Sequence, residues 1–498
     1  MQNKLFNFLK VYPLYVLLLP VFFVLHGYNE NFGFIDGKDI LLLLLLYCSA
    51  AIVVYLLFFL FYRNRIKASL LALYVMSFFL FYGAVKDFLK VQLPFAARYR
   101  FLLPLFLLVA GVLLVYIKKT KRSFSVIPLF FNMLLCVYII VDLAGVSVKA
   151  IYPSPGKFSI YSYFNDGKYP LIKNTQKPDI YFLLFDEYAS SLSLKENYGF
   201  SNNIDSFLLA RDFHIQEKGF SNYNYTPASM ASILNASYLA GISNNTMLTV
   251  EDIGYCTRLV KNNEVIKFLA NQGYNIVNYS VFDLAGNPSP VNQVLLPLKT
   301  RLITDNTFLS RIRKDIEWRV IAENWLNNNT FYKIPEDNQA LLQMTKAFSA
   351  VKNQQPDFVY AHFYLPHDPF FTDRNGRMRD KKTVMAEGQE KYRSSKSYLE
   401  YLVYTNTEIK KLIDTIMANT RGEAVIILMG DHGFREKIES NLHQNYQAMN
   451  AVYLPGKDYH LFYDSISSVN QFRVLFNTLF KQSIPLLKDS TIFLSGKE

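Results

Sequence analysis

The pattern of hydrophobic positions divides this chain into two parts. Within the first 150 residues, five long apolar runs alternate with short charged connections, and each run reaches or approaches the ~20 residues that a helix needs to cross a bilayer. A set of buried core helices is the alternative, but five such runs in succession favour a membrane region over residues 1–150. The predicted spans are 11–25, 40–61, 69–85, 101–117 and 126–146.

A different pattern follows the membrane region. Residues 151–176 are rich in Pro, Gly, Ser, Tyr and Lys, which is typical of an extended linker. Beyond them, short continuous apolar runs, typical of strands buried on both faces, alternate with segments of helical period. This alternation predicts an α/β domain over residues 177–490, with a mostly parallel sheet flanked by helices. The predicted strands are 179–185, 275–281, 358–365, 424–429 and 451–454.

The net charge of +12 belongs almost entirely to the membrane region. Residues 1–150 hold 15 Lys or Arg and 5 Asp or Glu, whereas the rest of the chain holds 37 and 35. The α/β part therefore has no basic stripe that could follow a phosphate backbone, which argues against a nucleic-acid partner. Of the three cysteines, Cys48 and Cys136 lie in apolar runs, so Cys256 has no partner for an intrachain disulfide in the α/β part.

The charges of the connections predict the orientation. Cytoplasmic connections collect Lys and Arg, and these residues are concentrated at the N-terminus, at 63–67 and at 118–122. The first connection, 30–39, is acidic on balance, and the basic third connection, 86–100, is the exception to the rule. Snorkelling interfacial side chains are the preferred explanation of that exception, and contact with anionic lipid or a phosphorylated headgroup is the alternative. Five spans from a cytoplasmic N-terminus predict a multi-pass protein of the cell inner membrane with an extracytoplasmic α/β domain.

Candidate chemistry lies just past the predicted strands, where the functional groups of parallel sheets collect. Asp186 follows the first strand, and Asp431 and His432 follow the fourth in the sequence GDHG. Thr226 precedes Pro227 and a helical stretch, so we expect it at the N-cap, where free N–H groups and the helix dipole favour an anion. Each segment alone has an ordinary explanation as a turn or a cap, but their order along one α/β pattern favours a site. Further polar residues of these segments are Glu187, His362, His367 and Asp368.

These segments resemble the ordered motifs of the alkaline phosphatase and sulfatase superfamily. The resemblance rests on FDEYAS, the helix start at Thr226, LPHDPF and GDHGF. It extends especially to the membrane-anchored branch, which includes lipoteichoic acid synthases and phosphoethanolamine transferases and joins about five spans to an extracytoplasmic sulfatase-like domain. The similarity covers roughly residues 177–480, whereas the spans match in layout only.

The resemblance implies a role for each matching residue. Asp186, Asp431 and His432 would be metal ligands, Thr226 would be both a ligand and the nucleophile, and His367 would bind the phosphoryl or sulfuryl oxygens of the substrate. A threonine hydroxyl is a poor nucleophile at neutral pH, and a divalent cation can activate it and neutralise the transferring group.

Departures from the family pattern bear on the metal. Related members with this layout carry Glu at the position of Asp186, so the neighbouring Glu187 is a second candidate ligand. The additional ligand set of two-zinc phosphatases is not clearly reproduced, so one metal ion is expected. Oxygen-rich ligation with one histidine suits Mn²⁺ or Mg²⁺, with Zn²⁺ as an alternative. The residues available for an additional set are His362, His367, Asp368 and His443.

The membrane region and the resemblance together predict a transferase. It would move a phosphorylated headgroup, such as phosphoethanolamine or phosphoglycerol, from a phospholipid to an envelope glycan or lipid through a threonine-bound intermediate. A sulfatase-like hydrolase of phosphate or sulfate esters is the alternative, although sulfatases of that kind mature a Cys or Ser in a C-x-P-x-R pattern where this chain has Thr226. A non-catalytic envelope scaffold is a third hypothesis, which the complete set of site residues disfavours.

Overall fold

The chain folds into two compact units. The first consists of Met1–Ser154 and Val294–Phe331, and the second of Pro155–Gln293 and Tyr332–Glu498. The computed structural model describes residues 8–32, 35, 37–93, 95–122, 124, 126–151, 159–160, 177–291, 300–316, 333–387, 393–437 and 442–496. Most of the predicted linker, 151–176, therefore lies outside the described residues. So do parts of 283–337 and 370–396, the two stretches between the motifs where we expect substrate specificity to lie.

Apolar helices form most of the first unit. Four of the helices given below, α2 to α5, are long and apolar enough to cross a membrane. Helix α1 has 16 residues, which is short of that length. Among the described residues, four helices therefore meet the length requirement where five spans were expected. The helices are α1 (Tyr15–Glu30), α2 (Gly37–Tyr62), α3 (Arg65–Gln92), α4 (Tyr99–Lys119) and α5 (Ile127–Ile151).

The short helix α1 lies along α5 from one end to the other. The backbone N–H of Tyr15 donates to Oδ1 of Asn132 at 2.7 Å. At the far end of α1, Nζ of Lys149 donates to the carbonyl of Asn29 at 2.5 Å. The two helices therefore run in the same direction, and α1 covers α5 from residue 132 to residue 149. A cluster of buried aliphatic and aromatic side chains from α1, α2, α3 and α5 fills the space between them.

A six-stranded sheet forms the core of the second unit. In the numbering below, its strand order is β3-β9-β8-β2-β7-β6. Strands β8, β2, β7 and β6 are parallel, and β9 and β3 add an antiparallel edge. Every residue of β2 is buried. The strands are β1 (Ser159–Ile160), β2 (Ile180–Phe185), β3 (His214–Ile215), β4 (Leu239–Ala240), β5 (Thr246–Leu248), β6 (Asn275–Tyr279), β7 (Asp357–Phe363), β8 (Val425–Met429), β9 (Asn450–Tyr453) and β10 (Leu494–Gly496).

The predicted fold class is confirmed. All five predicted strands are present in the central sheet, and helices separate the parallel strands along the chain. Because β2 lies between β7 and β8, the residues that follow these three strands meet at one edge of the sheet. The remaining helices are α6 (Ser191–Tyr198), α7 (Ile204–Leu209), α8 (Thr226–Asn235), α9 (Val250–Lys261), α10 (Glu264–Asn271), α11 (Arg301–Thr304), α12 (Phe308–Ile316), α13 (Lys333–Phe348), α14 (Lys381–Glu387), α15 (Ser395–Thr420) and α16 (Gln471–Phe480).

Residues 300–316, which we call the returning segment, contain α11 and α12 and pack against the apolar helices of the first unit. The side chain of Ile303 belongs to their buried cluster. The backbone N–H of Gly83, on α3, donates to the carbonyl of Asn306 at 2.7 Å. The ring of Phe308 lies 4.9 Å from that of Tyr82, centroid to centroid. This segment falls within the range that the sequence pattern predicted for the α/β domain.

Candidate active site

Three predicted metal ligands meet at the carboxyl ends of β2 and β8. Asp186 directly follows β2, and Asp431 and His432 follow β8; all three side chains are fully buried. Each of them offers an atom within 4.8 Å of the other two. Nε2 of His432 lies 3.3 Å from Oδ2 of Asp431 and 4.0 Å from Oδ1 of Asp186. The fold therefore assembles this set from two segments far apart in the chain.

The backbone fixes the tautomer of His432. Its Nδ1 lies 2.9 Å from the carbonyl oxygen of Gly433. That oxygen can only accept, so Nδ1 carries the proton and Nε2 presents a lone pair. Burial and the nearby charge of Arg435 lower the pKa of His432 well below its ordinary value, so the ring is neutral. A neutral imidazole with a free Nε2 is the form in which histidine binds metal ions.

Thr226 reaches the same place from a helix. It is the first residue of α8, with Tyr225 as the N-cap, so it lies one position further into the helix than the N-cap expected from the sequence. Its Oγ1 lies 3.2 Å from Nε2 of His432 and 3.4 Å from Oδ1 of Asp186. The rest of α8 is buried. Its N-terminal N–H groups and dipole favour negative charge beside the hydroxyl.

The two buried carboxylates of this site have pKa values shifted in opposite directions. Burial raises the pKa of Asp431 well above its ordinary value, and the charge of Asp186 raises it further. Burial acts in the same direction on Asp186, but His367, His362 and His432 hold the pKa of that carboxyl below its ordinary value. Among the described residues, Oδ2 of Asp431 is buried without a hydrogen-bond donor. A divalent cation fits these residues, because it would satisfy that oxygen and balance two adjacent acids.

Two further histidines approach Asp186 from β7 and the loop after it. His362 lies on β7, with Nε2 3.3 Å from Oδ2 of Asp186. His367 follows β7, with Nε2 4.0 Å from Oδ1 of Asp186. Burial alone would lower the pKa of His367, but the carboxylates of Asp186, Asp368 and Glu187 raise it above its ordinary value. His367 therefore places a positive charge beside the ligand cluster, where it can bind anionic oxygens.

Glu187 directs its carboxylate toward two arginines. Its backbone N–H donates to Oδ1 of Asp431 at 2.9 Å. Its carboxylate accepts from Nη1 of Arg393 at 2.6 and 2.7 Å and from the backbone N–H of Arg435 at 3.0 Å. Nη2 of Arg393 also lies 2.8 Å from Oδ1 of Asp368. Glu187 thus orients a ligand through its backbone, while its side chain is held in an ion pair.

The sequence pattern did not single out these two arginines. Arg435 lies three residues after His432, and its closeness to the GDHG motif is the one feature of the sequence that could have marked it as a site residue. Arg393 comes from the segment 370–396, in which no motif is recognisable. By contrast, the predicted candidate His443 has an exposed side chain in a short 3₁₀ turn, and within the described residues no hydrogen bond joins that side chain to the site.

Gly433 allows a close approach of two loops. A Cβ at this position would lie 2.1 Å from the carbonyl oxygen of Gln444 and 2.9 Å from that of Gln447. Both contacts are with backbone atoms, which cannot rotate away. The glycine therefore lets the loop that carries His432 pack against the chain before β9.

The family model described as Sulfatase matches residues 197–469, which is more than half of the chain. The chain belongs to the sulfatase family. The matched range contains Thr226, His367, Asp431 and His432, whereas Asp186 precedes it. The family assignment confirms the predicted superfamily and makes the chain a sulfatase-like hydrolase or transferase, and this superfamily is metal-dependent.

Several solved structures are similar to this chain at low identity. They include the C-terminal periplasmic domain of EcEptC from Escherichia coli, with 9% identity, 65% of this chain and 91% of that chain covered, and a TM-score of 0.39. A phosphonate monoester hydrolase from Silicibacter pomeroyi has 14% identity, with 64% and 76% covered and a TM-score of 0.40. A putative sulfatase from Bacteroides fragilis has 14% identity, with 63% and 77% covered and a TM-score of 0.38. No curated protein matches the sequence significantly.

Proposed function

We propose that this protein transfers a phosphorylated headgroup, of the phosphoethanolamine or phosphoglycerol type, from a membrane phospholipid to an envelope glycan or lipid. The observation that carries this proposal is the position of the Thr226 hydroxyl. It lies at a helix N-terminus within 3.4 Å of both Asp186 and His432. The chain that holds it also carries four helices able to cross a membrane, so the enzyme and a lipid donor would share one membrane.

The proposed reaction has two steps. In the first, Oγ1 of Thr226 bonds to phosphorus, the bond from phosphorus to the glycerol oxygen breaks, and the hydroxyl proton ends on the released diacylglycerol. In the second, the oxygen of an acceptor hydroxyl bonds to the same phosphorus, the bond from phosphorus to Oγ1 of Thr226 breaks, and Oγ1 takes up the acceptor's proton. The cationic ring of His367 would bind the non-bridging oxygens during both steps.

We propose that Asp186, Thr226, Asp431 and His432 hold one divalent ion, of Mn²⁺, Mg²⁺ or Zn²⁺. This donor set offers three oxygens and one nitrogen, and oxygen-rich sets suit Mn²⁺ and Mg²⁺. When bound, such an ion supplies a Lewis acid that lowers the pKa of the threonine hydroxyl and neutralises the transferring group. The supporting observation is the buried Oδ2 of Asp431, which has no donor among the described residues.

The parallel course of α1 and α5 supports the proposed location. Helix α1 starts beside residue 132 and ends beside residue 149, so the start of α1 and the end of α5 lie at opposite ends of the bundle. With a cytoplasmic N-terminus, as the basic residues Lys4 and Lys10 favour, the chain would leave α5 outside the cytoplasm of an inner membrane.

The test uses the full-length protein in lipid vesicles with a phospholipid labelled in its headgroup. We expect mass spectrometry to find the headgroup phosphate on Thr226, and diacylglycerol release to rise when a glycan acceptor is added. Thr226→Ala should reduce release by at least about a thousandfold. Thr415→Ala is the matched control, because the hydroxyl of Thr415 donates to the backbone carbonyl of Lys411 in its own helix. Cleavage of soluble sulfate esters with phospholipid headgroups left intact would overturn the proposal.

The family match favours one alternative, a hydrolase of phosphate or sulfate esters. It would use the same residues, but water would replace the acceptor in the second step. The two functions differ in acceptor dependence: a hydrolase releases the headgroup at the same rate with and without the glycan. The buried position of Cys256 within α9 offers no support for a formylglycine-type sulfatase.

A further inference from the structure

Helix α3, whose end forms part of the third connection, 86–100, is longer than the hydrocarbon core of a bilayer is thick. Helix α3 has 28 residues, or about 42 Å at the rise of an α-helix, against about 30 Å of hydrocarbon. It starts at Arg65, at the end of the bundle where Tyr15 contacts Ser69. Its last turns, from about Lys86 onward, would therefore lie at headgroup level.

The returning segment is fixed at this same end by close backbone contacts. Gly83 donates to Asn306 at 2.7 Å, and a Cβ on Gly83 would lie 2.7 Å from the Cα of Asn306. The hydroxyl of Tyr99, at the start of α4, donates to the carbonyl of Arg311 at 2.9 Å. Two ends of helices and a distant segment thus form one surface.

Arg311 changes the charge balance of that surface. Its Nη2 lies 2.5 Å from Oδ2 of Asp87, the sole acid of the third connection. Lys90, Arg98 and Arg100 are exposed, and none of them has a carboxylate partner within the described residues. The ion pair therefore leaves these three cations, which we call the basic patch, without a local counter-charge.

Exposed apolar side chains occur in the returning segment and, alongside the cations of the basic patch in the sequence, in the third connection. Phe88 and Leu309 are each 65% exposed, and Phe95 is 60% exposed. Aromatic and aliphatic side chains beside cations at the end of an apolar helix are typical of the level where acyl chains meet headgroups. The acidic first connection joins α1 to α2, whereas Lys90, Arg98 and Arg100 lie at the end of α3 and the start of α4.

We propose that the basic patch binds the headgroups of anionic phospholipids. The phosphate of the lipid would contact Lys90, Arg98 and Arg100, and its acyl chains would lie against Phe88, Phe95 and the outer faces of α3 and α4. A lipid fits this surface because the unpaired cations can bind its phosphate, while the exposed apolar side chains continue into the helices that face the bilayer. This also accounts for the third connection being basic on the side opposite to the cytoplasmic connections: its charge serves binding and not orientation.

Phosphatidylglycerol is also a donor of the proposed type, so the variants of the basic patch, and not binding alone, separate this inference from the proposed transfer. Full-length protein in neutral detergent is titrated with dioctanoyl phosphatidylglycerol, dioctanoyl phosphatidylcholine or inorganic phosphate, and binding is measured by calorimetry. We expect phosphatidylglycerol to bind most tightly and its affinity to fall with added salt. The double variant Lys90→Gln/Arg100→Gln should weaken phosphatidylglycerol binding by roughly fivefold for each cation removed.

The control is Lys118→Gln/Lys119→Gln, two exposed cations at the other end of α4. It should leave the affinity for phosphatidylglycerol unchanged. Equal weakening in both double variants, salt-independent binding, or inorganic phosphate binding as tightly as the lipid would each overturn the inference. If the Lys90/Arg100 variant does not purify as a folded protein, the single variant Arg98→Gln and the salt dependence of the unaltered protein decide the matter.

Discussion

The carboxylate of Glu187 is held by Arg393, whose Nη1 lies 2.6 Å from one carboxylate oxygen and 2.7 Å from the other. Nη2 of the same arginine is 2.8 Å from Asp368. By distance alone, Glu187, His367 and Asp368 form a second group that could hold a metal ion. Because Arg393 pairs with both acids of this group and Arg435 pairs with Glu187 as well, we expect a single metal ion, at the proposed site formed by Asp186, Asp431 and His432.

Replacing Glu187 by Gln should destabilise the protein without removing its metal. Arg393 and Arg435 would then remain buried beside a neutral amide, and breaking a buried ion pair costs about 3 to 5 kcal/mol. The measurement is thermal unfolding of the full-length protein together with metal content. Glu400→Gln is the control, because its pair with Arg374 is exposed and should contribute less than about 1 kcal/mol. Loss of metal in Glu187→Gln would instead identify Glu187 as a ligand.

Asp431→Asn should have the opposite effect. The variant keeps the shape of the side chain but removes a charge that the proposed metal ion requires, so metal content should fall from one ion per chain to near zero while the fold is kept. Elemental analysis after dialysis measures the first quantity and circular dichroism the second. Asp414→Asn, which alters the surface pair with Arg211, is expected to retain its metal. An Asp431→Asn protein with full metal content would exclude Asp431 as a ligand.

The affinity for metal should increase with pH. The pKa of Asp431 is raised by burial and by Asp186, so the metal-free protein holds a proton there at pH values where an ordinary carboxyl is ionised. Metal binding must displace that proton, so affinity should rise by up to about tenfold per pH unit until the raised pKa is passed. Calorimetry in two buffers of different ionisation enthalpy counts the protons released. An affinity that is constant from mildly acidic to mildly alkaline buffer contradicts this prediction.

Gly83→Val should detach the returning segment. The new side chain would begin 2.7 Å from the Cα of Asn306, and a backbone atom cannot move aside without the whole segment. Hydrogen exchange in residues 300–316 should therefore become faster in the full-length protein. Gly111→Val on α4 is the matched control, because nothing lies within 4 Å of its Cβ position. Equal exchange rates in both variants would contradict the observed packing.

The sequence alone was sufficient for the local elements and for the residues at their ends. Apolar runs of strand length predicted five of the six strands of the central sheet. The reason is plainest for β2 and β8, which are buried at every position and apolar throughout. The sequence also identified Asp186, Asp431 and Thr226, because they occur where a strand ends or a helix begins. The residues next to such a boundary determine its position. The long apolar runs predicted the positions of α2 to α5 for the same reason.

Only the tertiary structure decided which distant residues meet. Glu187 is adjacent to Asp186, yet its side chain pairs with Arg393, 206 positions away, and no local pattern encodes that pairing. The same holds for His362 and His367, which approach one carboxylate from β7 and its loop, and for His443, which does not join them. The returning segment is the clearest case: its contact with Gly83 depends on a complementary space between helices, which exists only after the chain has folded.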